Sequence, residues 1–531
     1  MPIFLAILIL VSYAGYFSRL GAIGLTGPDE PRYASIARAM ERTGDWVTPR
    51  LNGTPWFEKP VLYYWAAAVS FRVFGENDFA ARLPSALAAL LGAIAIAWAA
   101  RRFYGESAAW LALLLVPSSV VTVVFGRAAT PDMLFTGTLA AAMACGVALV
   151  FDEKPNIWHR IGFGFFLGAA TLAKGPAAIV LAGGSVALWA VFSRQWIRAL
   201  RVAHPLAVFV CLLTAGPWYA LCARRNPDFL ATFLLLHNFE RFLTPVFHHI
   251  QPWWFFIPIL VLWILPWTAV LFALVRDAAS ARQSGGWLSN PAVYFACWTI
   301  FTVVFFSISK SKLPGYIAPA VPPLLLLLAA AADRMRCRND DSSRGVAMGL
   351  GVTWLALIGV AAGWLHRQPI TSPASGLPHI WYWLAVTAAA GIVIAILGST
   401  RRITAALLMN AMTIAALLVA ANLLLLPRLD SNLSARAAAK AFLAINQSPD
   451  KSLPAALGAY RLDRAWQYGL EYYLDRPLLE WKPDAGGAFL LFTSQAGCGD
   501  IQNRGLICDP VQKNSKAVWL VRVTPSAASA R

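Results

Sequence analysis

Residues 1–17 read MPIFLAILILVSYAGYF. No basic segment precedes the apolar run and no clear small-x-small cleavage site follows it, so it reads as a retained membrane helix and not as a secretory leader. Working outward, apolar runs recur along the chain to residue 426. A crossing helix needs about 20 mostly apolar residues. Within such runs only helices satisfy their own backbone in lipid. Thirteen spans are expected, near 3–20, 80–100, 107–125, 131–151, 157–173, 175–192, 203–223, 253–275, 291–308, 315–333, 346–365, 379–397 and 403–426. The composition agrees: 58% of the 531 residues are hydrophobic and 13% are charged, against roughly a quarter charged in soluble domains. The class is a polytopic α-helical membrane protein.

The formal charge is +18. In a soluble protein that excess points to nucleic acid. Here the Lys and Arg fall mostly in loops, so the charge reads as membrane topology and no nucleic-acid partner is expected. With a cytoplasmic N-terminus, fifteen Lys and Arg fall in cytoplasmic loops, against Arg127, Lys174, Lys310, Lys312 and Arg367 in the opposite short loops. That bias predicts a multi-pass protein of the inner (plasma) membrane with its last hundred or so residues outside the cytoplasm. The prediction is most sensitive at 157–192, where only Lys174, Gly175 and Pro176 divide two spans. A single broken helix there would invert everything downstream.

The organisation follows. Residues 1–427 form a transmembrane domain with a long outer loop at 21–79, and residues 428–531 form a small soluble α/β domain. A second long outer loop is expected at 224–252. In the first loop, PRYASIARAMERTG places Tyr33, Ile36, Ala37 and Met40 at helical spacing, between Pro31 as a first position and Gly44 as a stop. PVLYYWAAAVSFRVFG reads as a second helix ending at Gly75. Both suit helices lying in the membrane interface. Beyond Pro427, SARAAAKAFLAI and RAWQYGLEYYL read as amphipathic helices, GAFLLFT and AVWLVRV as strands. Cys498 and Cys508, ten residues apart, suit a disulfide in an oxidising compartment or two free thiols.

The polar clusters gather at the outer ends of the spans. Asp29 and Glu30 precede the first loop helix, either as caps or as a carboxylate kept ionised by the helix start for base or metal work. Glu58 and Lys59 stand before the second helix, as an interfacial pair or as a phosphate site. Thr130, Pro131 and Asp132 read as a capped helix start carrying a carboxylate. His237 and Arg241 share a helical face in LLLHNFERFLTP; a hydrogen-bonding role is the plainer reading for His237, and Arg241 suits bidentate phosphate binding. Lys174, Lys310 and Lys312 stand against the positive-inside trend, as snorkelling side chains or as cations facing an anionic headgroup, and Tyr316 opens the next span.

DEPRYASIARAM and GDWVTPRLNGTPWFEKPVLYYW, followed in order by RAATPD, KGP, HNFERF and KLPGY, resemble the bacterial GT-C membrane glycosyltransferases. The nearest are the lipid A aminoarabinose transferases, with the protein O-mannosyltransferases more distant. The resemblance covers most of residues 1–330. It implies a GT-C fold and a polyprenyl-phosphate, such as undecaprenyl-phosphate, sugar donor. It implies an extracytoplasmic lipid, lipid A-like or glycan acceptor in the cell envelope. Carried over by motif, Asp29, Asp132 and Glu58 are the catalytic carboxylates. Lys59, Arg241, Lys312, Tyr316 and Lys174 face the donor phosphate. A divalent metal, if used, falls to Asp29, Glu58 or His237. KLPGY carries Gly315 where the aminoarabinose enzymes usually carry Thr, which leaves the sugar and acceptor open. The enzyme rival is a protein O-mannosyltransferase acting on exported proteins. The non-enzyme rival is a lipid or solute transporter, which would place its ionisable residues nearer mid-membrane.

Overall fold

The computed structural model describes residues 2–240, 250–283, 290–367, 380–446, 457–482, 489–513, 515 and 517–525. Among them, eight helices are long and apolar enough to cross a membrane: Asp78–Tyr104, Pro131–Phe151, Trp196–Arg225, Pro291–Ile308, Pro314–Arg338, Asp341–His366, Ile380–Ser399 and Ile403–Leu433. A further candidate is the pair Glu106–Leu115 and Val120–Gly126, bent by 60°. Phe4–Phe17 and Ala177–Ser193 are shorter apolar helices. The remaining expected spans hold Ile157–Lys174 and the successive helices Phe256–Trp263 and Val270–Gln283. Lys174 and Ala177 thus belong to separate helices, with Gly175 between them at φ 82°. The chain is a polytopic α-helical membrane protein.

The compact units do not follow chain order. One comprises Met1–Ser18, Phe57–Tyr63 and Leu83–Ala420; the other comprises Arg19–Trp56, Tyr64–Arg82 and Ala421–Arg531.

In the first unit, Pro131–Phe151 is buried nearly all round, as a helix enclosed by other helices must be. Its Gly137 lies against the Ala88 backbone so closely that no Cβ would fit. Such close approach through small residues is how helices associate where lipid removes the hydrophobic drive. The stretch expected as one span at 253–275 is instead two helices separated around Pro266. The bend in 106–126 falls at Pro117. Proline removes a helix donor and clashes with the preceding turn. The two breaks satisfy each other. Val120 N donates to Leu265 O at 3.0 Å, and Trp267 Nε1 donates to Ser118 Oγ at 3.0 Å. Irregular backbone at membrane depth survives only with such protein partners.

The second unit holds most of the first loop. Its helix is Asp29–Thr43, beginning two residues before Pro31 and capped by Gly44 at φ 70°. Tyr33, Ile36, Ala37 and Met40 are buried on it as the spacing predicts. The next loop helix is Leu62–Phe74, followed by Gly75 at φ 78°. The C-terminal part carries a five-stranded sheet in the order Leu479–Glu480, Gly458–Tyr460, Phe489–Thr493, Trp519–Pro525, Leu506–Lys513. The first three strands pair in parallel and the last two antiparallel. Helices Arg436–Asn446 and Arg464–Leu474 contribute to its core. A disulfide joins Cys498, on helix Gln495–Asn503, to Cys508 on the edge strand, with Cα atoms 5.9 Å apart.

Buried charge ties the loop to itself and, through Arg436 and Tyr473, to the C-terminal part. Arg82 uses all five donors: two reach Glu30 at 2.9 and 2.7 Å, and three bonds reach the carbonyls of Leu20, Ile23 and Gly24 at 2.7–2.8 Å. Arg436 binds Asp78 at 2.7 Å and Asp430 at 2.8 Å, and donates to the Gly21 and Ala22 carbonyls. Tyr473 Oη donates to Asp78 and accepts from Leu25 N, both at 2.6 Å. Burial, with Asp78 beside it, pushes the Tyr473 hydroxyl above its usual pKa.

Candidate active site

In the first unit the site grows from two helix ends. Thr130 adopts extended geometry at φ −138°, ψ 157°, and Pro131 takes the first helical position, so Asp132 enters the first turn of Pro131–Phe151. A carboxylate is favoured there and a cation is favoured in a last turn. Lys174 occupies the last turn of Ile157–Lys174. Its Nζ donates to Asp132 Oδ1. The side chains are 13% and 21% exposed. Lys174 Nζ also lies 5.6 Å from the Phe135 ring centre and 5.5 Å from that of Tyr316, within cation–π range. Tyr316 stands on the short 3₁₀ helix Pro314–Ala320. A Cβ placed on Gly315 would lie 3.4 Å from Asp132 Oδ1 and 3.2 Å from the Phe125 ring. A side chain here would crowd the Phe125 ring and only touch the carboxylate. The expected Thr130 cap bond is not made: its Oγ1 is buried without a hydrogen-bond partner.

Lys312 is buried, and its Nζ donates to Ser309 O at 2.6 Å. Burial and then the charge of Lys310 lower its pKa. Glu58 and Lys59 form an ion pair at 3.6 Å with side chains 13% and 16% exposed. The helix that follows begins at Leu62, so Lys59 stands short of its N-terminus. Phe57 beside them packs on Phe229, ring centres 5.2 Å apart.

In the second unit the two adjacent carboxylates diverge. Asp29 opens its helix and accepts from Arg32 Nη2 at 2.5 Å. Glu30 turns to Arg82 and also accepts from Thr26 N and Oγ1. Glu30 is therefore buried in a structural ion pair, while Asp29, also paired, keeps a side chain that is 53% exposed. Arg32 and Arg82, the partners of these acids, were not singled out as site residues by sequence; Arg82 is hidden at the head of an apolar span. His237 lies within the π-helical stretch Ala231–Glu240. Its side chain, and the whole of Arg241, lie outside the described residues.

Of the three donors expected for a metal, the side chains of Asp29 and Glu58 are described and that of His237 is not. Among the described residues no three His, Cys, Asp or Glu come together. Asp29 is engaged by Arg32 and Glu58 by Lys59.

Residues 58–220 match the family model described as dolichyl-phosphate-mannose-protein mannosyltransferase. The undecaprenyl phosphate-alpha-4-amino-4-deoxy-L-arabinose arabinosyl transferase of Edwardsiella ictaluri is 33% identical over 346 residues, covering 64% of this chain and 61% of that one. The enzyme of the same name from Erwinia tasmaniensis is 30% identical over 398 residues, 72% of this chain and 71% of its own. The chain belongs to this aminoarabinose transferase family. ArnT from Cupriavidus metallidurans, solved with undecaprenyl phosphate bound, superimposes with a TM-score of 0.80 at 25% identity over 98% of this chain and 97% of its own. The fold is accordingly of the GT-C type, with the small C-terminal sheet domain included in the match. The first of these alignments spans about three-fifths of its relative's length.

Proposed function

We propose that the chain transfers an aminoarabinose-type sugar from undecaprenyl phosphate to a lipid A-like acceptor. The observation that carries the reading is the Lys174–Asp132–Tyr316 cluster at the head of a buried helix, in a chain of this family. The acceptor oxygen attacks the anomeric carbon, and the bond from that carbon to the carrier phosphate oxygen breaks. Negative charge grows on the departing phosphate. Lys59, Arg241 and Lys312 stabilise it, with Lys174 and Tyr316 as further contacts; electrostatic stabilisation of developing charge is usually the largest catalytic contribution. Asp132 holds Lys174 in place. Asp29 takes the proton of a hydroxyl acceptor, or positions an acceptor phosphate that is already ionised. A single displacement inverts the anomeric carbon. No step is routed through a metal.

The site opens on the extracytoplasmic side in this reading, with the N-terminus cytoplasmic and the sheet domain outside. The loop-charge bias supports that orientation. Labelling of cysteines placed at 59 and 132 with a membrane-impermeant thiol reagent tests it; labelling only after the cytosolic side is opened removes the proposal. Transfer in membranes tests the chemistry. Lys59→Ala and Asp29→Asn should each lose roughly 2.7–4 kcal/mol of transition-state stabilisation, and wild-type rates in both would end the assignment. The match of residues 58–220 to the mannosyltransferase model favours a second reading, transfer to exported proteins. Mass spectra of lipid extracts and of exported proteins, with and without the gene, separate the two.

A further inference from the structure

One face of the C-terminal helix Arg464–Leu474 meets the loop that carries Asp29. Tyr468, Glu471 and Tyr472 are spaced i, i+3, i+4, which puts them side by side on a helix. Glu471 is buried and accepts from Asn52 Nδ2 at 3.1 Å. The Tyr472 carbonyl accepts from Arg38 Nη1 at 2.8 Å, and the Arg38 guanidinium lies 4.6 Å from the Tyr472 ring centre. These contacts fix the helix at two points. Tyr468 is the third, with its ring centre 5.9 Å from the guanidinium carbon of Arg32.

Arg32 has two more rings around it, Tyr33 at 5.1 Å and Trp56 at 5.4 Å. Its side chain is only 13% exposed, while that of Asp29, which it grips at 2.5 Å, is 53% exposed. An exposed carboxylate held by a caged cation has its position set by the cage. Two walls of that cage come from the first loop and the third from a segment more than four hundred residues away in sequence.

We propose that Tyr468 is a positioning residue of the transferase: it closes the aromatic cage on Arg32 and through Arg32 fixes Asp29 for reaction. The sheet domain thereby takes part in the chemistry as well as in the architecture. The inference rests on the role given to Asp29 above.

The test compares Tyr468→Phe, which keeps the ring face, with Tyr468→Leu, which removes it, in the full-length protein assayed for sugar transfer. Tyr468→Leu should lower kcat about three- to tenfold, the scale of one cation–π contact, with the donor KM and the melting temperature unchanged. Tyr468→Phe should restore the rate. In an Arg32→Gln background Tyr468→Leu should have no further effect, because the cage then has nothing to hold. A wild-type rate in Tyr468→Leu overturns the inference. So does an equal loss in the Arg32→Gln background, or a rate loss matched by a fall in melting temperature. Asp29→Asn, run alongside, separates the two levels. An inactive Asp29→Asn with an unaffected Tyr468→Leu sinks only the cage; an active Asp29→Asn sinks the role of Asp29 itself.

Discussion

Lys174 and Asp132, 42 residues apart, join the end of one helix to the start of another through a single hydrogen-bonded ion pair. Each also sits where its own helix dipole favours its charge. Removing either partner leaves the other partly buried and unpaired. Lys174→Gln and Asp132→Asn are each expected to lower transfer by about 10²–10³-fold, the scale of one lost preorganised electrostatic group. The double variant should be no slower than the worse single one. Initial rates on membranes check this, and additive losses would show that the two act independently.

Arg82 and Glu30 are a different kind of pair, with side chains 4% and 6% exposed. Breaking a buried pair costs about 3–5 kcal/mol, because a desolvated charge is left behind. Arg82→Met should lower the melting temperature of the detergent-purified protein sharply. Arg82→Met combined with Glu30→Leu should recover part of the loss, since the orphaned carboxylate is gone. A double variant as unstable as Arg82→Met would assign the effect to the three carbonyls that Arg82 also binds.

Lys312 gives a dependence on pH. Burial and Lys310 hold its pKa below the ordinary lysine value, which is about 10.4. The fold disfavours the charged form, so its cost to stability is present at neutral pH. That cost fades as pH rises through the lowered pKa towards the unfolded value. On the role proposed for Lys312, the same shift means its charge is lost earlier on the alkaline side than a free lysine would lose it. The alkaline limb of kcat/KM should therefore move to higher pH in Lys310→Gln, which removes one cause of the shift. A limb that stays in place would take Lys312 out of the reacting group.

The Cys498–Cys508 bridge closes a loop of ten residues' separation. A loop of that size is worth about 3 kcal/mol in chain-entropy terms. Replacing both cysteines with Ala should make residues 457–525 more open to protease, while the transmembrane helices keep their protection. Unchanged digestion would show that the packing around Trp481, Leu491 and Ile501 holds the sheet without the bridge.

Much of the fold was legible because lipid imposes a simple rule on sequence: every expected span holds helix. What escaped has specific causes. Pro266 and Pro117 were visible, but apolarity continued across them and masked two breaks that only tertiary partners could stabilise. The strands Gly458–Tyr460, Leu479–Glu480 and Leu506–Lys513 were missed. Two are too short to show alternation, and the third contains Pro510, tolerated because that strand is at the edge. Among the candidate residues the adjacent pair Glu58 and Lys59 was readable, and the pairings between distant residues were not. Asp29 and Glu30 look alike in sequence, yet one is gripped at the surface by Arg32 and the other is buried against Arg82. Nothing local couples Lys174 to Asp132, or Tyr468 to Arg32.

The unit built from Arg19–Trp56, Tyr64–Arg82 and Ala421–Arg531 also sets an order of events during synthesis. The first loop leaves the ribosome early, but Asp430, Arg436 and Tyr473, which complete its rivets, are made more than three hundred residues later. At about 5–20 residues per second, that loop waits on the order of tens of seconds with Asp78 lacking its final partners. During biogenesis it therefore stays open to proteases and folding factors until helix Arg464–Leu474 has been made, and chains that stop before that helix leave it permanently unfinished.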